Sequence, residues 1–406
     1  MLEPHSLLVV NRVYPPQAGA TGQLLADLLD SLSVQGWNSE VLASRVSPIA
    51  PADVRRNSVV VSRASGLTLS RSSLFKRMLS YLSLYPAFFF RALRTRRSEI
   101  LVTLTDPPLL LLLGPFLKWI KRYRLIHWAQ DLYPEVAEEL GVLPKNGLPA
   151  RVLRACSTWA LRRHDVIVAI GSCMRERLLQ RGIAASQIVV IPNWNLSEAA
   201  SGVAGLGDLP ADGSVFRASR SWGDRFVVMY SGNFGLAHPF EAIVEAARQL
   251  DRGDRRVLFV FVGEGANLAT VKEEVRDLSN VAWLPYQPIE LLGQCLRAAD
   301  VHLASMHDRT CGLVVPSKVY GIIAAERPCL FLGPAESEVA RLIAESGCGR
   351  VLRSDDGAAL ASAISELAND PERMRAMRRA AAALGPRVSR EAAVAAWQQV
   401  LERVMG

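Results

Sequence analysis

Short apolar runs of strand length recur along the chain and alternate with stretches whose leucines and alanines repeat at helical spacing. Residues 7–10 open the series. A glycine-bearing loop follows, Tyr14-Pro15-Pro16-Gln17-Ala18-Gly19-Ala20-Thr21-Gly22. Next comes a helix over about residues 23–35, with Leu24, Leu25, Leu28, Leu29 and Leu32 on one face. Strand, glycine loop and helix make the opening of a parallel βα unit. Further strands are predicted at 40–43, 58–61, 100–104, 125–128, 165–169 and 188–191, with helical stretches between most of them. Residues 197–224 are rich in Gly, Ser, Ala and Asp with little periodicity, which reads as a linker. The alternation then restarts, with strands predicted at 226–230, 257–262, 281–284, 301–304, 329–332 and 349–352. The last stretch, 371–405, is Ala/Arg-rich and reads as helix.

The pattern therefore predicts an α/β protein of two Rossmann-like, doubly wound parallel-sheet domains, residues 1–195 and 225–385, joined by a linker at 196–224. Such domains face a central cleft at the carboxyl ends of their strands, where a ligand is expected. A length of 406 residues also exceeds what one core usually supports.

Charge sharpens this picture. The net charge is +8, yet positions 54–126 hold fourteen Lys/Arg against only Glu99 and Asp106. The rest of the chain is therefore mildly acidic, and the basicity points to a localised anionic partner. Within residues 71–97 the cations Lys76, Arg77, Arg91, Arg94, Arg96 and Arg97 interleave with Leu, Tyr and Phe and no acid. A second apolar run, 109–119, is followed by Lys121 and Arg122. Neither reaches the roughly 20 apolar residues that span a bilayer. Basic residues beside an apolar aromatic face fit a helix lying on an anionic membrane surface; an ordinary core helix with a solvated basic face is the alternative. The bulky apolar residues are not base readers, so no nucleic acid partner is expected. Six cysteines without a CxxC pair or metal-ligand spacing fit reduced thiols, and no leader is read at residues 1–12. The expected location is cytoplasmic, peripheral on the inner face of the cytoplasmic membrane.

Candidate chemistry centres on the block Val315-Pro316-Ser317-Lys318-Val319-Tyr320-Gly321. It reads as a helix start, with Pro at a position whose N–H would be unpaired and Ser317 as the cap. Free N–H groups and the Lys318 charge there suit a diphosphate. Gly321 leaves room for a close approach, or for a helix packed tightly on its neighbour. Glu138-Glu139 and Glu273-Glu274 read as solvated helix surface. No Asp-x-Asp metal site stands in a suitable loop; Asp355-Asp356 is only half of one.

Taken together, the chain resembles the family 4 glycosyltransferases, in the branch that builds bacterial capsule, exopolysaccharide and colanic acid. The resemblance spans almost the whole length. It rests on Tyr14-Pro15-Pro16 with Gly19, on 127–135 (His-Trp-Ala-Gln-Asp-Leu-Tyr-Pro-Glu) and on Val190-Ile191-Pro192-Asn193-Trp194. In the second half it rests on Tyr230-Ser231-Gly232-Asn233-Phe234-Gly235, Phe261-Val262-Gly263-Glu264-Gly265, Ala299-Asp300-Val301 and the Pro316-Ser317-Lys318 block. It implies the GT-B architecture, with a C-terminal helix, 386–406, crossing back to the N-terminal domain. It also implies a retaining, metal-independent transferase without a cofactor, moving a sugar from a nucleotide-diphosphate-sugar donor to a lipid-linked saccharide acceptor.

Residue by residue, the resemblance implies that Gly19 faces the donor phosphates and acceptor. His127 would contact the donor sugar, a satisfied buried histidine being the alternative. Asp131 would bind the acceptor or act as base, or else cap the next helix. Gly263, Glu264 and Gly265 would border the nucleotide base, and Gly312, Ser317 and Lys318 would hold the diphosphate. Many family members carry two glutamates eight positions apart where this chain has Leu313 and Gly321, and an Arg and a Lys where it has Asn233 and His238. Donor contacts must then be made differently, with Lys318 and Arg309 taking the phosphate role and Gly235 in the same loop. A sugar-nucleotide 2-epimerase and a non-catalytic nucleotide-sugar-binding scaffold are the competing readings. Donor base, sugar and linkage stay open, GDP-fucose and UDP-hexose included.

Overall fold

The computed structural model describes residues 5–17, 19–45, 53–56, 58–67, 74–95, 98–196 and 213–406, the side chains of 53–56, 74, 75 and 77 excepted. Arg96, Arg97, the side chain of Arg77 and most of the expected linker lie outside the described residues. Two compact units emerge. One comprises Met1–Pro192, Gly312–Val314 and Ala393–Gly406; the other comprises Asn193–Cys311 and Val315–Ala392.

The first unit is built on the strands β1 (Ser6–Val10), β2 (Asn38–Ser44), β3 (Asp53–Arg56), β4 (Val59–Ala64), β5 (Ile100–Thr103), β6 (Arg124–Ala129), β7 (Val166–Ala169) and β8 (Ile188–Val190). Among the described residues they form one sheet in the order β3-β4-β2-β1-β5-β6-β7-β8. All pairings are parallel except that of β3 with β4. That antiparallel edge strand has no apolar run, only Asp53-Val54-Arg55-Arg56, so hydrophobic pattern does not announce it. β5 buries every residue. A parallel sheet covered on both faces needs such continuous apolar strands. Helix Leu74–Arg94 covers one face with Leu84, Phe88 and Ala92 packed over Leu8, Leu42 and Leu101. Each buried Leu or Phe among them contributes about 1.5–3 kcal/mol by leaving water.

The second unit has β9 (Phe226–Ser231), β10 (Val257–Val262), β11 (Val281–Leu284), β12 (Val301–Ser305), β13 (Cys329–Leu332) and β14 (Gly349–Leu352), ordered β11-β10-β9-β12-β13-β14 and all parallel. Its core is aromatic: Phe234 stacks on Phe240 with centroids 4.9 Å apart, and Phe261 on Trp283 at 4.7 Å.

Among the parallel strands of each sheet the order reverses direction once, beside β1 and β5 in one and beside β9 and β12 in the other. Loops leaving the carboxyl ends of strands at such a reversal diverge and open a crevice for ligand.

Several elements differ from the sequence expectation. The first helix begins at Ala20, three residues early, because Gly19 serves as its cap. The expected helix over 371–405 is two, Pro371–Leu384 and Arg390–Met405, separated by a 3-10 turn Gly385–Val388. Pro386 lacks the N–H and crowds the preceding turn, which breaks the helix there. The last helix seats Trp397 edge-on against Trp128 of β6, centroids 4.9 Å apart, within the first unit.

Candidate active site

In the second unit the loops after β9, β10 and β12 come together. The Gly232 N–H bonds Val262 O at 2.9 Å, and Phe234 N–H bonds Glu264 O at 2.8 Å. Gly263 has φ +132°, and a Cβ there would lie 2.1 Å from Gly232 O; at Gly265 (φ +152°) it would meet Asn233 Oδ1 at 2.6 Å. Only glycine fits both constraints. Asn233, Glu264 and Gly265 are exposed and Gly235 is half-buried on this rim.

Lys318 ends among these loops. Its ammonium donates to Tyr230 Oη at 2.5 Å, and lies 3.9 Å from the centroid of the same ring. A Cβ on Gly232 would touch its Cε at 3.4 Å. Tyr230 is fully buried and donates its own proton to Asn233 O at 2.9 Å, so the phenol oxygen is left as acceptor for the lysine. No carboxylate pairs with Lys318 among the described residues. Burial lowers its pKa to about 7, Cys329 being the only other contributor.

His238 stands in place of a cation, and it is neutral. Burial and the nearby Lys318 charge lower its pKa to about 3. Its Nδ1 faces Ser305 O at 2.5 Å, a pure acceptor, so the ring proton sits on Nδ1 and Nε2 presents a lone pair.

The remaining predicted donor residues divide. Ser317 occupies the helix cap but makes no side-chain cap bond, which corrects the expected role; the helix Lys318–Ala324 is only seven residues long. Gly321 sits where a Cβ would press on Leu296 Cδ1 at 3.3 Å, so helix packing accounts for it. Arg309 is exposed in the turn Asp308–Thr310. Gly312 and Leu313 belong to the first unit: a Cβ on Gly312 would strike Cys173 O at 2.6 Å, and Leu313 O accepts from Leu132 N at 2.9 Å.

In the first unit, the loops after β1, β5 and β6 carry the other candidates. Arg12 pairs with Asp106 through two bonds of 2.7 Å. Gly19 packs where a Cβ would meet Val13 Cγ1 at 2.7 Å. The loop between them is pinned from β4: buried Arg63 donates to Tyr14 O and Ser44 O at 3.2 Å and to Pro15 O at 2.5 Å. Nothing in the sequence pattern singles out Arg63, because its partners are backbone carbonyls far along the chain.

His127, at the end of β6, is buried and neutral, its pKa lowered to about 3 by burial and then by His164. Its Nδ1 lies 3.0 Å from both Thr103 O and Thr103 Oγ1. The carbonyl fixes the proton on Nδ1, so Nε2 is an acceptor. Thr103 Oγ1 also reaches His164 Nε2 at 3.5 Å, and His164 Nδ1 donates to Ala160 O at 2.9 Å. The histidine is thus both satisfied in the core and oriented. Thr103 and His164 escape sequence reading because the relay exists only through space.

Asp131 follows on the same strand's loop. No described residue donates a hydrogen bond to its carboxylate. Burial, and secondly the Asp106 charge, raise its pKa to about 6. The next residues are held rigidly: Arg181 and Arg154 both bind Glu135, and Arg154 also binds Glu138. Glu138 is therefore buried and paired, correcting its reading as solvated surface; exposed Glu273 and Glu274 match theirs.

Two doubly wound parallel sheets with ligand-type loops at each reversal define a GT-B protein. The first half matches the glycosyl transferase 4-like domain over residues 19–194, and the second matches glycosyl transferases group 1 over residues 214–384. The chain belongs to the family 4 glycosyltransferases. It is 27% identical over 289 residues to the "Probable glycosyltransferase WbjE" of Pseudomonas aeruginosa, covering 70% of each chain. It is 25% identical to the "Putative colanic acid biosynthesis glycosyl transferase WcaI" of Escherichia coli K12, covering 83% of this chain and 85% of that one. Among solved structures, Anabaena Alr3699/HepE in complex with UDP and glucose shares the fold with a TM-score of 0.73 at 13% identity, over 98% of this chain and 99% of that one.

Proposed function

We propose that this transferase moves a glycosyl group from a nucleoside-diphosphate sugar to a lipid-linked saccharide, with retention at the anomeric carbon and without a metal ion, in building a cell-surface polysaccharide. Its place would be the inner face of the cytoplasmic membrane. The observation that carries this reading is the Lys318 ammonium, held by a phenol and a ring rather than by a carboxylate. With no carboxylate to compete, an incoming anion is the group that draws this amine into its charged form. The names of WcaI, a colanic acid enzyme, and of HepE, bound to UDP and glucose, lend support.

The transfer breaks the bond from the anomeric carbon to the diphosphate oxygen and forms one to the acceptor hydroxyl oxygen. Negative charge develops on the departing diphosphate, where Lys318 stabilises it. His127 Nε2 accepts a hydrogen bond from a donor-sugar hydroxyl. Asp131, ionised above about pH 6, takes up the acceptor's proton or holds that hydroxyl in place.

The test is a panel of nucleotide sugars scored by thermal stabilisation, since a ligand at 100 times its Kd stabilises by about 2.7 kcal/mol. One member should raise the melting temperature and be hydrolysed slowly without acceptor; Lys318→Ala should abolish both. Stabilisation without hydrolysis or transfer to any acceptor would favour the scaffold reading, and an unaltered response in Lys318→Ala would overturn the assignment of the phosphate site.

A further inference from the structure

The basic helix expected to lie on a membrane, Leu74–Arg94, keeps much of its apolar face in the core, Leu84, Phe88 and Ala92 being buried. Lys76 and Arg94 are exposed on it. A second surface of the same unit is more unusual. Helix Leu113–Lys121 presents Phe116, Trp119 and Ile120 at i, i+3 and i+4, all exposed, with Trp119 85% accessible. Phe116 meets Trp159, ring centroids 5.8 Å apart, at the end of helix Leu148–Leu161. That helix continues the apolar line with exposed Leu148, Val152, Cys156 and Trp159, spaced by three or four residues. The two stripes thus form one apolar strip with aromatic residues where they join. Monomeric surfaces rarely leave so continuous a strip to water.

The charge on the two helices themselves is of one sign. Neither helix contains an acidic residue. Lys121, Arg122, Arg151, Arg162 and Arg163 are distributed along them, and Arg163 lies 4.3 Å over the Trp159 ring. Lys118 is turned aside into an ion pair with Asp165 at 2.8 Å. A second copy of the chain seated on this strip about a two-fold axis would set these cations against their own equivalents. An anionic lipid surface satisfies both halves of the pattern. Trp and Phe enter the headgroup boundary while Lys and Arg meet lipid phosphates.

We propose that the strip formed by Phe116, Trp119, Ile120, Trp159, Val152 and Leu148 is the surface by which this unit seats on an anionic bilayer, with Trp119 as its deepest anchor. The proposal rests on the peripheral-membrane part of the proposed function and moves the contact from the basic helix to the second apolar run, joined to helix Leu148–Leu161 in a face the sequence pattern did not reveal. No described helix is long and apolar enough to cross a membrane, so the contact is interfacial.

Full-length protein is titrated with vesicles of phosphatidylcholine alone and of phosphatidylcholine with phosphatidylglycerol, with cosedimentation and Trp fluorescence as readouts. Wild type should bind the anionic vesicles with a blue shift. Trp119→Ser should weaken partitioning at least about tenfold and Phe116→Ser with Ile120→Ser about as much, while donor hydrolysis is unchanged because none of these residues lies among the candidate site groups. Lys76→Glu with Arg94→Glu on the other helix serves as the contrast. If those charge reversals abolish binding and Trp119→Ser does not, the strip is not the seat, although the peripheral reading stands. If wild type ignores both vesicles, that reading falls with it. A concentration-dependent dimer dispersed by Trp119→Ser, without vesicle binding, would assign the strip to a second copy and overturn the proposal.

Discussion

The candidate residues of the two units are held in opposite ways. Around the candidates of the first unit the arginines are held: Arg12 by Asp106, Arg181 and Arg154 by Glu135, Arg63 by three backbone carbonyls. In the second, Lys318 has a phenol and an aromatic face, and His238 beside it is kept neutral. Paired charges fix a backbone frame, since breaking such a pair leaves a buried charge uncompensated. An unmatched cation does the reverse: it stores affinity for an anion the protein does not contain. The first unit is built for orientation and the second for charge. Asp131 is the exception, a carboxylate to which no described residue donates, and for that reason the base proposed above.

Removing that exception should give the largest effect. Asp131→Asn should lower kcat by about 10²–10⁴-fold, the range of a lost general base, with donor KM nearly unchanged. The same variant should be more stable. The folded pKa of Asp131 is raised above its ordinary value, so the unfolded chain holds fewer protons and stability falls as pH climbs from about 4 through about 6. Deleting the charge removes that loss, a gain on the order of 1 kcal/mol at pH 7.5, readable in a melting curve. An Asp131→Asn protein that is slower but no more stable would mean the carboxylate has a partner in solution. A protein that keeps full activity would leave the first unit without a reacting group.

The site was unevenly legible in the sequence. Strands such as 257–262 read directly, because a strand buried on both faces must be apolar throughout. Lys318 was legible by its position after Pro316-Ser317, although the short helix and the uncapped Ser317 show that a dipole alone is not the reason it matters. What stayed hidden is whatever works through space. Tyr230, read as the end of a strand and the start of a family motif but given no role, is the direct partner of Lys318 eighty-eight positions away. Glu138 looked solvated because its neighbour in sequence is another glutamate, whereas its partner Arg154 lies on the next helix.

A middling effect tests the charge side of the comparison. The Lys318 pKa of about 7 lies below the ordinary lysine value, so at pH 8 most molecules of the free protein carry a neutral amine there. A bound diphosphate favours the ammonium. Binding should therefore draw in close to one proton at pH 8 and almost none at pH 6, seen as a dependence of the calorimetric heat on the ionisation enthalpy of the buffer. Lys318→Arg, charged throughout, should bind without proton uptake. Uptake that persists in Lys318→Arg would place the titrating group elsewhere.

The smallest expected change concerns how that lysine is aimed. Tyr230→Phe keeps the ring, and with it the face under the ammonium, but removes the oxygen that accepts its hydrogen bond. A hydrogen bond to a charged group is worth about 1.5–3 kcal/mol, yet part of it is regained when the freed ammonium turns to the donor phosphates. Donor KM should accordingly rise only several-fold, while the pKa governing proton uptake falls because one stabiliser of the charged form is gone. Tyr230→Leu loses the ring as well and should weaken donor binding further, approaching Lys318→Ala. If Tyr230→Phe and Tyr230→Leu behave alike, the ring contributes nothing and the hydroxyl alone holds the lysine. If neither differs from wild type, Lys318 meets the diphosphate by its own reach, and the contrast between the held arginines of the first unit and the unmatched lysine of the second loses its support at the residue where it is sharpest.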